Sequence, residues 1–192
     1  MPDLVLASTS IYRRAQLKRL GVPFRCRVPL IPEDELKIGD WNPRALAEHL
    51  ARAKVESLRD AEPHATIVGS DQLVSFEERI FGKPGSTERA VAQLSALSGK
   101  PHTLITALVV WHAGRAYVHT DLTTLYMRPL GIEEIERYVA ADHPLDCAGS
   151  YKIEERGITL FERIETHDYT AIVGLPLIFL TSLLRHLGYT IP

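Results

Sequence analysis

LVLASTSIYRRAQLKRLG, residues 4–21, predicts a strand that turns directly into a helix. Leu4–Ala7 is a continuous apolar run, which is typical of a buried strand. The segment Ala15–Leu20 then places apolar residues at helical spacing, and Gly21 is a stop signal. The turn between the two elements is therefore Ser8-Thr9-Ser10, and the chain opens with a βα unit.

This first turn has the composition of an anion site. A strand-to-helix turn exposes backbone N–H groups at the positive end of the helix dipole. Here Ser8 and Ser10 add hydroxyl groups, and Arg13 and Arg14 add two guanidinium groups. A second interpretation, in which Ser10 is an N-cap and the arginines are solvated, is equally open from this stretch alone.

Composition favours an ordinary globular protein with a small anionic ligand. The chain has 192 residues, of which 45% are hydrophobic and 24% charged, so it can form one compact domain or two closely joined lobes. Its net charge of −2 lacks the basic excess of a general nucleic-acid binder. Any cationic site must therefore be local.

The cysteines and the apolar segments predict a cytoplasmic protein. Cys26 and Cys147 lie far apart and fit no metal-ligand spacing, so they are expected to be reduced core thiols. The first residues have no basic segment followed by a long apolar one, as a signal peptide would. The apolar stretch 171–180 is shorter than the roughly 20 residues that a membrane span needs.

The rest of the chain mixes helical and strand patterns without repeats or linkers. Polar residues fill a connection at 29–42 and an irregular segment at 143–157, and a turn is expected at 77–79. Helices are predicted at 43–59, 86–97, 132–141 and 176–187, and strands at 24–28, 65–76 in two halves, 80–81, 102–112, 116–127 and 158–165. Asn42 and Pro43 are the start signal of the first of these helices. The fold class is therefore α/β, with a mixed parallel and antiparallel sheet.

Charged residues stand where apolar ones are expected. Lys54 falls on one helical row with Leu46, Leu50 and Leu58, so it faces inward and needs a counter-charge, unless its stem only lies along the edge of the apolar face. Asp71 interrupts an apolar strand, where it is either bonded to a turn or held for chemistry.

Glu33 and Lys83 complete a set that suits metal-assisted attack on a polyphosphate. Each is unremarkable alone, because Glu33 lies in the polar connection and Lys83 lies in a Gly-Lys-Pro turn. Together with the residues above, they offer cations to neutralise phosphates and carboxylates to bind Mg²⁺ or Mn²⁺ and to activate water. P-loop, dinucleotide, zinc-protease and serine-hydrolase motifs do not occur in the sequence.

The motifs resemble the Maf family of nucleoside triphosphate pyrophosphatases along essentially the whole chain. The matching segments are LASTSIYRR, Glu33, Lys54, GSDQLV, GKP, CAGSYKIEERG and VGLPLIFL, in that order. The resemblance implies a single Maf-like domain over residues 1–192, with two lobes around a long central cleft, similar to inosine-triphosphate pyrophosphatases. It also implies hydrolysis of a nucleoside triphosphate to the monophosphate and pyrophosphate with a divalent cation.

The same resemblance implies roles for individual residues. Asp71 matches the proton acceptor, and Lys54 and Lys83 match charged catalytic positions. Ser8, Ser10, Arg13 and Arg14 match the phosphate-binding turn. Glu33 and Asp71 are the expected metal ligands.

Substrate choice is linked in this family to the positions of Tyr12, Gln72 and Glu154. Glutamate at position 154, where the dTTP/UTP branch has glutamine, indicates the 7-methyl-GTP branch. N7-methylation makes guanine cationic, so Tyr12 could stack on it while Glu154 accepts its protons and balances its charge. Pro32 and Ala53 replace carboxylates that are common in the family, and Tyr12 replaces a more usual tryptophan.

The leading hypothesis is therefore a cytoplasmic 7-methyl-GTP pyrophosphatase that acts on a small nucleotide and binds neither a nucleic-acid polymer nor a membrane. A homodimer is left open. The alternatives are a dTTP/UTP pyrophosphatase of the same family and a nucleotide-binding regulator of cell division without turnover.

Overall fold

A computed structural model describes residues 3–77 and 79–191. Its strands are β1 Leu4–Ala7, β2 Arg25–Arg27, β3 Thr66–Phe76, β4 Arg79–Phe81, β5 Pro101–His112, β6 Arg115–Met127 and β7 Phe161–Glu165. Its α-helices are α1 Ile11–Lys18, α2 Glu33–Leu36, α3 Pro43–Glu56, α4 Thr87–Leu97, α5 Ile132–Asp142 and α6 Leu177–His186. Short 3₁₀ segments cover Ala148–Ser150, Arg156–Leu160 and Tyr169–Val173.

The seven strands form one mixed sheet in the order β2-β1-β3-β5-β6-β7, with β4 paired to β3. β1 runs parallel to β2 and to β3, whereas β3–β4 and β6–β7 are antiparallel pairs. The predicted mixed α/β fold is confirmed. Among the described residues, no helix combines the length and apolar character that crossing a membrane requires.

The chain divides into two compact units. The first contains the described residues up to Asp71, Thr106–Asp121 and the residues from Asp168 onward, and the second contains Gln72–Ile105 and Leu122–His167. The core of the first unit packs β1 and α1 with the C-terminal helix α6. Its fully buried side chains include Leu4, Leu6, Leu17, Leu108, Leu180 and Leu184.

The core of the second unit lies where α4 packs against α5. Apolar residues of both helices are buried there, among them Leu94, Leu97, Ile135 and Val139. An aromatic cluster adjoins them, in which the Tyr151 and Phe161 rings meet edge to face at 5.0 Å between their centroids.

Side-chain caps mark the starts of α3, as predicted from Asn42 and Pro43, and of α4, where no cap was predicted. The Asn42 side chain accepts hydrogen bonds from the N–H groups of Arg44 and Ala45, and Pro43 occupies the first position of α3. The Ser86 hydroxyl accepts from the N–H of Arg89 at the start of α4. Local capping chemistry thus sets both boundaries.

Some local predictions are wrong. The two halves predicted within 65–76 form one continuous strand, Thr66–Phe76, and α2 lies inside the predicted polar connection. The last strand begins at Phe161, because the preceding residues form a 3₁₀ turn. Cys26 is exposed rather than buried, since β2 is an edge strand whose residues are all exposed. The turn expected at 77–79 includes Glu78, which lies outside the described residues.

Candidate active site

The serines of the first turn shape the start of α1. The Ser8 hydroxyl accepts a hydrogen bond from the Ser10 N–H at 3.1 Å, and the Ser10 hydroxyl accepts from the Arg13 N–H at 3.4 Å. The N-cap interpretation of Ser10 is therefore confirmed. It does not compete with anion binding, because a hydroxyl that accepts from the backbone still has a proton to donate.

A cavity of about 290 Å³ opens beside this turn. Ser8 and Ser10 line it together with Arg14, and Arg27 of the neighbouring strand β2 contributes a second guanidinium group. Arg14 offers the cavity a guanidinium group for an anion, whereas that of Arg27 is paired with Glu62 at 2.8 Å. The volume of the cavity is near the lower end of the range for small-molecule sites. Arg27 was not predicted as a site residue.

Arg13 is not among the residues that line this cavity, and its side chain is bonded to the backbone. Its Nε donates to the carbonyl oxygen of Gly174 at 3.2 Å, and the Ser70 hydroxyl donates to the same oxygen at 2.8 Å. Burial lowers the pKa of Arg13 from its ordinary value, while the charges of Asp71 and Glu33 oppose that shift. The guanidinium group stays charged, as arginine does in proteins.

Gly174 is favoured at this point by its backbone conformation, and it packs closely against Arg13. Its φ is +114°, in the region that favours glycine. A Cβ atom there would lie 3.0 Å from Arg13 Nε and 3.2 Å from Arg13 Cγ. The residue thus orients the arginine with its carbonyl oxygen and leaves room for the side chain.

Lys54 lies between two carboxylates, as its inward position predicts. Its Nζ is 2.5 Å from Asp71 Oδ1 and 3.2 Å from Glu33 Oε1. The side chains of Lys54 and Asp71 are each 9% exposed, whereas that of Glu33 is 41% exposed. The interpretation of Lys54 as a stem at the edge of the apolar face is excluded, and Asp71 is bonded to a lysine rather than to a backbone turn.

Helix α3 and strand β3 pack closely at Gly69, near the Lys54–Asp71 pair. A Cβ atom on Gly69 would lie 2.7 Å from the carbonyl oxygen of Ala51 and 2.7 Å from Val55 Cγ2. Only glycine allows the helix and the strand to pack at this distance. Lys54 is next to Val55 on the helix, and Asp71 is two residues after Gly69 on the strand.

The first unit therefore brings together most of the predicted charged residues. Arg13 is close enough to Asp71 and Glu33 for their charges to act on it, and both carboxylates approach Lys54. Arg14 lines the cavity beside the first turn. Tyr12, the predicted stacking residue, lies in the first turn of α1 and is half-buried. Arginine and lysine side chains suit the binding of a polyphosphate.

The carboxylates fit an oxygen-preferring divalent cation that brings other ligands with it. Glu33 and Asp71 both approach the Nζ atom of Lys54, so the two carboxylates already flank one positively charged group. In the described ranges, no three His, Cys, Asp or Glu side chains are grouped closely enough to hold a metal alone. Mg²⁺ commonly takes one or two protein carboxylates and completes its shell with water and substrate phosphates.

The remaining predicted site residues belong to the second unit. Lys83 is exposed in the connection between β4 and α4, and Gln72 follows Asp71 in β3 and is half-buried. Glu154 is exposed in the segment before Arg156–Leu160. Partial loss of hydration raises the pKa of Glu154, with Glu155 adding to the rise.

Two anchors that the sequence did not reveal hold the segment around Glu154. The Tyr138 hydroxyl accepts from the Lys152 N–H at 2.9 Å. The buried carboxylate of Asp142 accepts from both the N–H and the guanidinium group of Arg156, each at 3.0 Å. No signal in the sequence pointed to Asp142, because its burial, and with it the need of its carboxylate for donors, follows from the fold.

The fold and the first unit's site define a class: a mixed α/β protein with a lysine-bridged pair of carboxylates beside an arginine-rich, serine-lined turn. Residues 3–187 match the family model described as Maf-like protein. The chain belongs to the Maf-like family.

Curated relatives match along almost their whole length. A protein of Bdellovibrio bacteriovorus is 48% identical over 184 residues, covering 96% of each chain. Proteins of Pseudomonas syringae and Xanthomonas campestris are 44% and 45% identical, and the matches cover 100% of each chain. All three relatives carry the name 7-methyl-GTP pyrophosphatase.

Proposed function

We propose that this chain hydrolyses 7-methyl-GTP to 7-methyl-GMP and pyrophosphate. The observation that carries the proposal is the buried pair of Lys54 and Asp71, 2.5 Å apart and shared with Glu33. The names of relatives that are 44–48% identical over nearly the full length support the choice of substrate.

In this proposal Asp71 orients and deprotonates the attacking water. Lys54 stabilises the ionised carboxylate, so that Asp71 can accept a proton as the water oxygen bonds to the α-phosphorus. The bond between the α-phosphorus and the bridging oxygen then breaks, and pyrophosphate leaves with the electron pair. The proton passes to Asp71 and from there to solvent.

The cations stabilise the negative charge that develops on the phosphates. Arg13 is fixed by the Gly174 carbonyl oxygen, so its guanidinium group needs little reorganisation during the reaction. Ser8, Ser10 and Arg14 would hold the phosphate chain at the first turn. A Mg²⁺ or Mn²⁺ ion held by Glu33, Asp71 and phosphate oxygens would neutralise further charge.

The roles proposed in the second unit rest on the family resemblance. Lys83 would neutralise phosphate charge, and Gln72 and Glu154 would act in base selection. Tyr12 of the first unit would stack on the cationic 7-methylguanine ring. Glu154 would balance the positive charge of that ring.

The cellular setting is part of the same proposal. Both cysteines are free, which suits a reducing compartment such as the cytoplasm. The partner is a small nucleotide, with neither a membrane nor a nucleic-acid polymer involved. A homodimer stays a prediction, which sedimentation of the full chain would check.

The experiment is hydrolysis of 7-methyl-GTP in H₂¹⁸O with Mg²⁺ or Mn²⁺. Attack at the α-phosphorus places ¹⁸O in 7-methyl-GMP and releases unlabelled pyrophosphate. Asp71→Asn should reduce kcat at least 100-fold, within the range that a general base contributes, whereas Asp60→Asn, an exposed control in the same unit, should leave it unchanged. Orthophosphate as product, or label in pyrophosphate, would contradict the proposal.

Two further measurements separate the alternatives. A panel of 7-methyl-GTP, GTP, dTTP, UTP and CTP should give the highest kcat/KM for the first; a preference for dTTP and UTP would assign the other branch. Nucleotide binding by calorimetry without any product over hours would instead favour a regulator. The need for a divalent cation is tested separately. Chelation of the cation should abolish turnover, and addition of excess cation should restore it.

A further inference from the structure

One side chain of helix α4 links two segments to which the proposed function assigns different tasks. The Gln93 Nε2 atom donates to the carbonyl oxygen of Gly82 at 3.3 Å, immediately before Lys83. The Gln93 Oε1 atom accepts from the Ser150 hydroxyl at 2.6 Å, in the segment that leads to Glu154. A single amide therefore bridges the phosphate-neutralising loop and the base-selecting segment.

Both contacts fix one orientation of the amide. The Gly82 carbonyl oxygen can only accept, so the NH₂ end of Gln93 must face it. The oxygen end then faces Ser150, whose hydroxyl is a donor. A carboxylate at position 93 could still accept from Ser150, but it would repel the Gly82 carbonyl oxygen.

The Ser150 end of the bridge is rigid. Ser150 is fully buried and has φ of +64°, which a residue other than glycine rarely adopts. The preceding Gly149 also has positive φ, and a Cβ atom there would lie 2.7 Å from the Tyr151 ring. Such a conformation persists only where its surroundings hold it.

A second bond ties the same loop to the same segment. The Gly85 N–H, two residues after Lys83, donates to the Leu145 carbonyl oxygen at 3.0 Å. The loop 82–85 is thus attached on both sides of Lys83, once directly and once through Gln93. Displacement of the loop 82–85 should therefore move the segment from Leu145 to Glu154, and the reverse.

We propose that Gln93 is a positioning residue that couples Lys83 to the segment bearing Glu154, so that phosphate neutralisation and base selection depend on each other. This inference rests on the proposed function. It predicts that Gln93 affects the reaction through both Lys83 and the segment bearing Glu154, so that its loss lowers kcat/KM and also reduces discrimination between bases.

The test compares Gln93→Glu and Gln93→Met with the exposed control Ser95→Ala on the same helix. Each Gln93 variant should lower kcat/KM for 7-methyl-GTP about 10-fold, as expected for one or two lost hydrogen bonds. The ratio of kcat/KM between 7-methyl-GTP and GTP should fall as well, and Ser95→Ala should match the wild type.

A double-variant cycle distinguishes positioning from a purely structural role. In a Lys83→Met background, Gln93→Glu should lower kcat/KM for 7-methyl-GTP clearly less than about 10-fold, because the part of its effect that acts through Lys83 is already absent. An undiminished 10-fold loss in that background, or full activity of both Gln93 variants, would overturn the inference.

Hydrogen exchange gives a readout that does not depend on turnover. Gln93→Glu should accelerate exchange at the Gly85 amide and in residues 147–151, with the core of α4 unchanged. If the wild type does not hydrolyse 7-methyl-GTP, the proposed function fails while this coupling is still measured. Unaltered exchange in both segments would refute the coupling itself.

Discussion

Substitution of Lys54 should reduce stability more than substitution of Asp71, although the two side chains form one ion pair. Both side chains are 9% exposed, so substitution of one leaves the other poorly hydrated. Lys54→Met leaves the Asp71 carboxylate without its ammonium partner. Asp71→Asn leaves the Lys54 ammonium group 3.2 Å from Glu33, and the oxygen of the new amide can still accept a hydrogen bond from that ammonium group.

The magnitude follows from this difference in remaining partners. Breaking a buried ion pair typically costs about 3–5 kcal/mol. We expect Lys54→Met to lower the free energy of unfolding by about 3 kcal/mol, at the lower end of that range because Arg13 remains near Asp71. Asp71→Asn should cost less, although it should remove far more activity.

Urea unfolding followed by circular dichroism measures the effect on stability. With an m value of about 2 kcal/mol/M, a loss of 3 kcal/mol shifts the midpoint by about 1.5 M. Adding Glu33→Gln to Asp71→Asn should cost substantially more than adding it to Lys54→Met, because only the first combination deprives the ammonium of both carboxylates. Equal losses for the two single variants would refute the shared-lysine arrangement.

Three other changes have defined outcomes. Gly174→Ala should destabilise the protein by about 1–3 kcal/mol through backbone strain and reduce kcat by displacing Arg13, which unfolding and steady-state kinetics measure; wild-type kcat would contradict it. Burial lowers the pKa of His102 from 6.5 to about 4, so stability is full above pH 6.5 and lost as pH falls. From pH 7 to pH 5 the free energy of unfolding should fall by about 2 kcal/mol. The His102→Gln variant should not show this loss, and a wild type whose stability does not change with pH would contradict the prediction. Because the pKa of Glu154 is raised, kcat/KM for 7-methyl-GTP should begin to fall at a higher pH on acidification than it would with an ordinary glutamate. Glu154→Gln should remove this pH dependence and also the preference for 7-methyl-GTP over GTP.

The fold was predictable where local signals agree with packing. β1 covers the predicted Leu4–Ala7, and Asn42 and Pro43 begin α3 as their cap chemistry requires. The continuous strand β3 was not predictable, because Gly69 in an apolar run is also a typical break. Its reason is tertiary: the glycine admits α3 at a distance that any side chain would prevent.

The site was predictable where a charged side chain conflicts with an apolar pattern. Lys54 in a row of leucines and Asp71 in an apolar strand are each anomalous, and the structure pairs them. Arg27, Asp142 and Gln93 belong to ordinary polar surfaces in the sequence, so their contacts follow only from the fold. The roles of Lys83, Gln72 and Glu154 stay predictions.

The Gly174 carbonyl oxygen shows why the supporting contacts of a site are harder to predict than its side chains. Every residue has a backbone carbonyl, so no residue type identifies the one that orients Arg13 and binds Ser70. In the structure this carbonyl belongs to a residue with positive φ, and a Cβ atom there would lie 3.0 Å from Arg13 Nε. Gly174 ends the 3₁₀ segment Tyr169–Val173, and a glycine at the end of a turn is an ordinary pattern, so its carbonyl contact with Arg13 follows only from the fold.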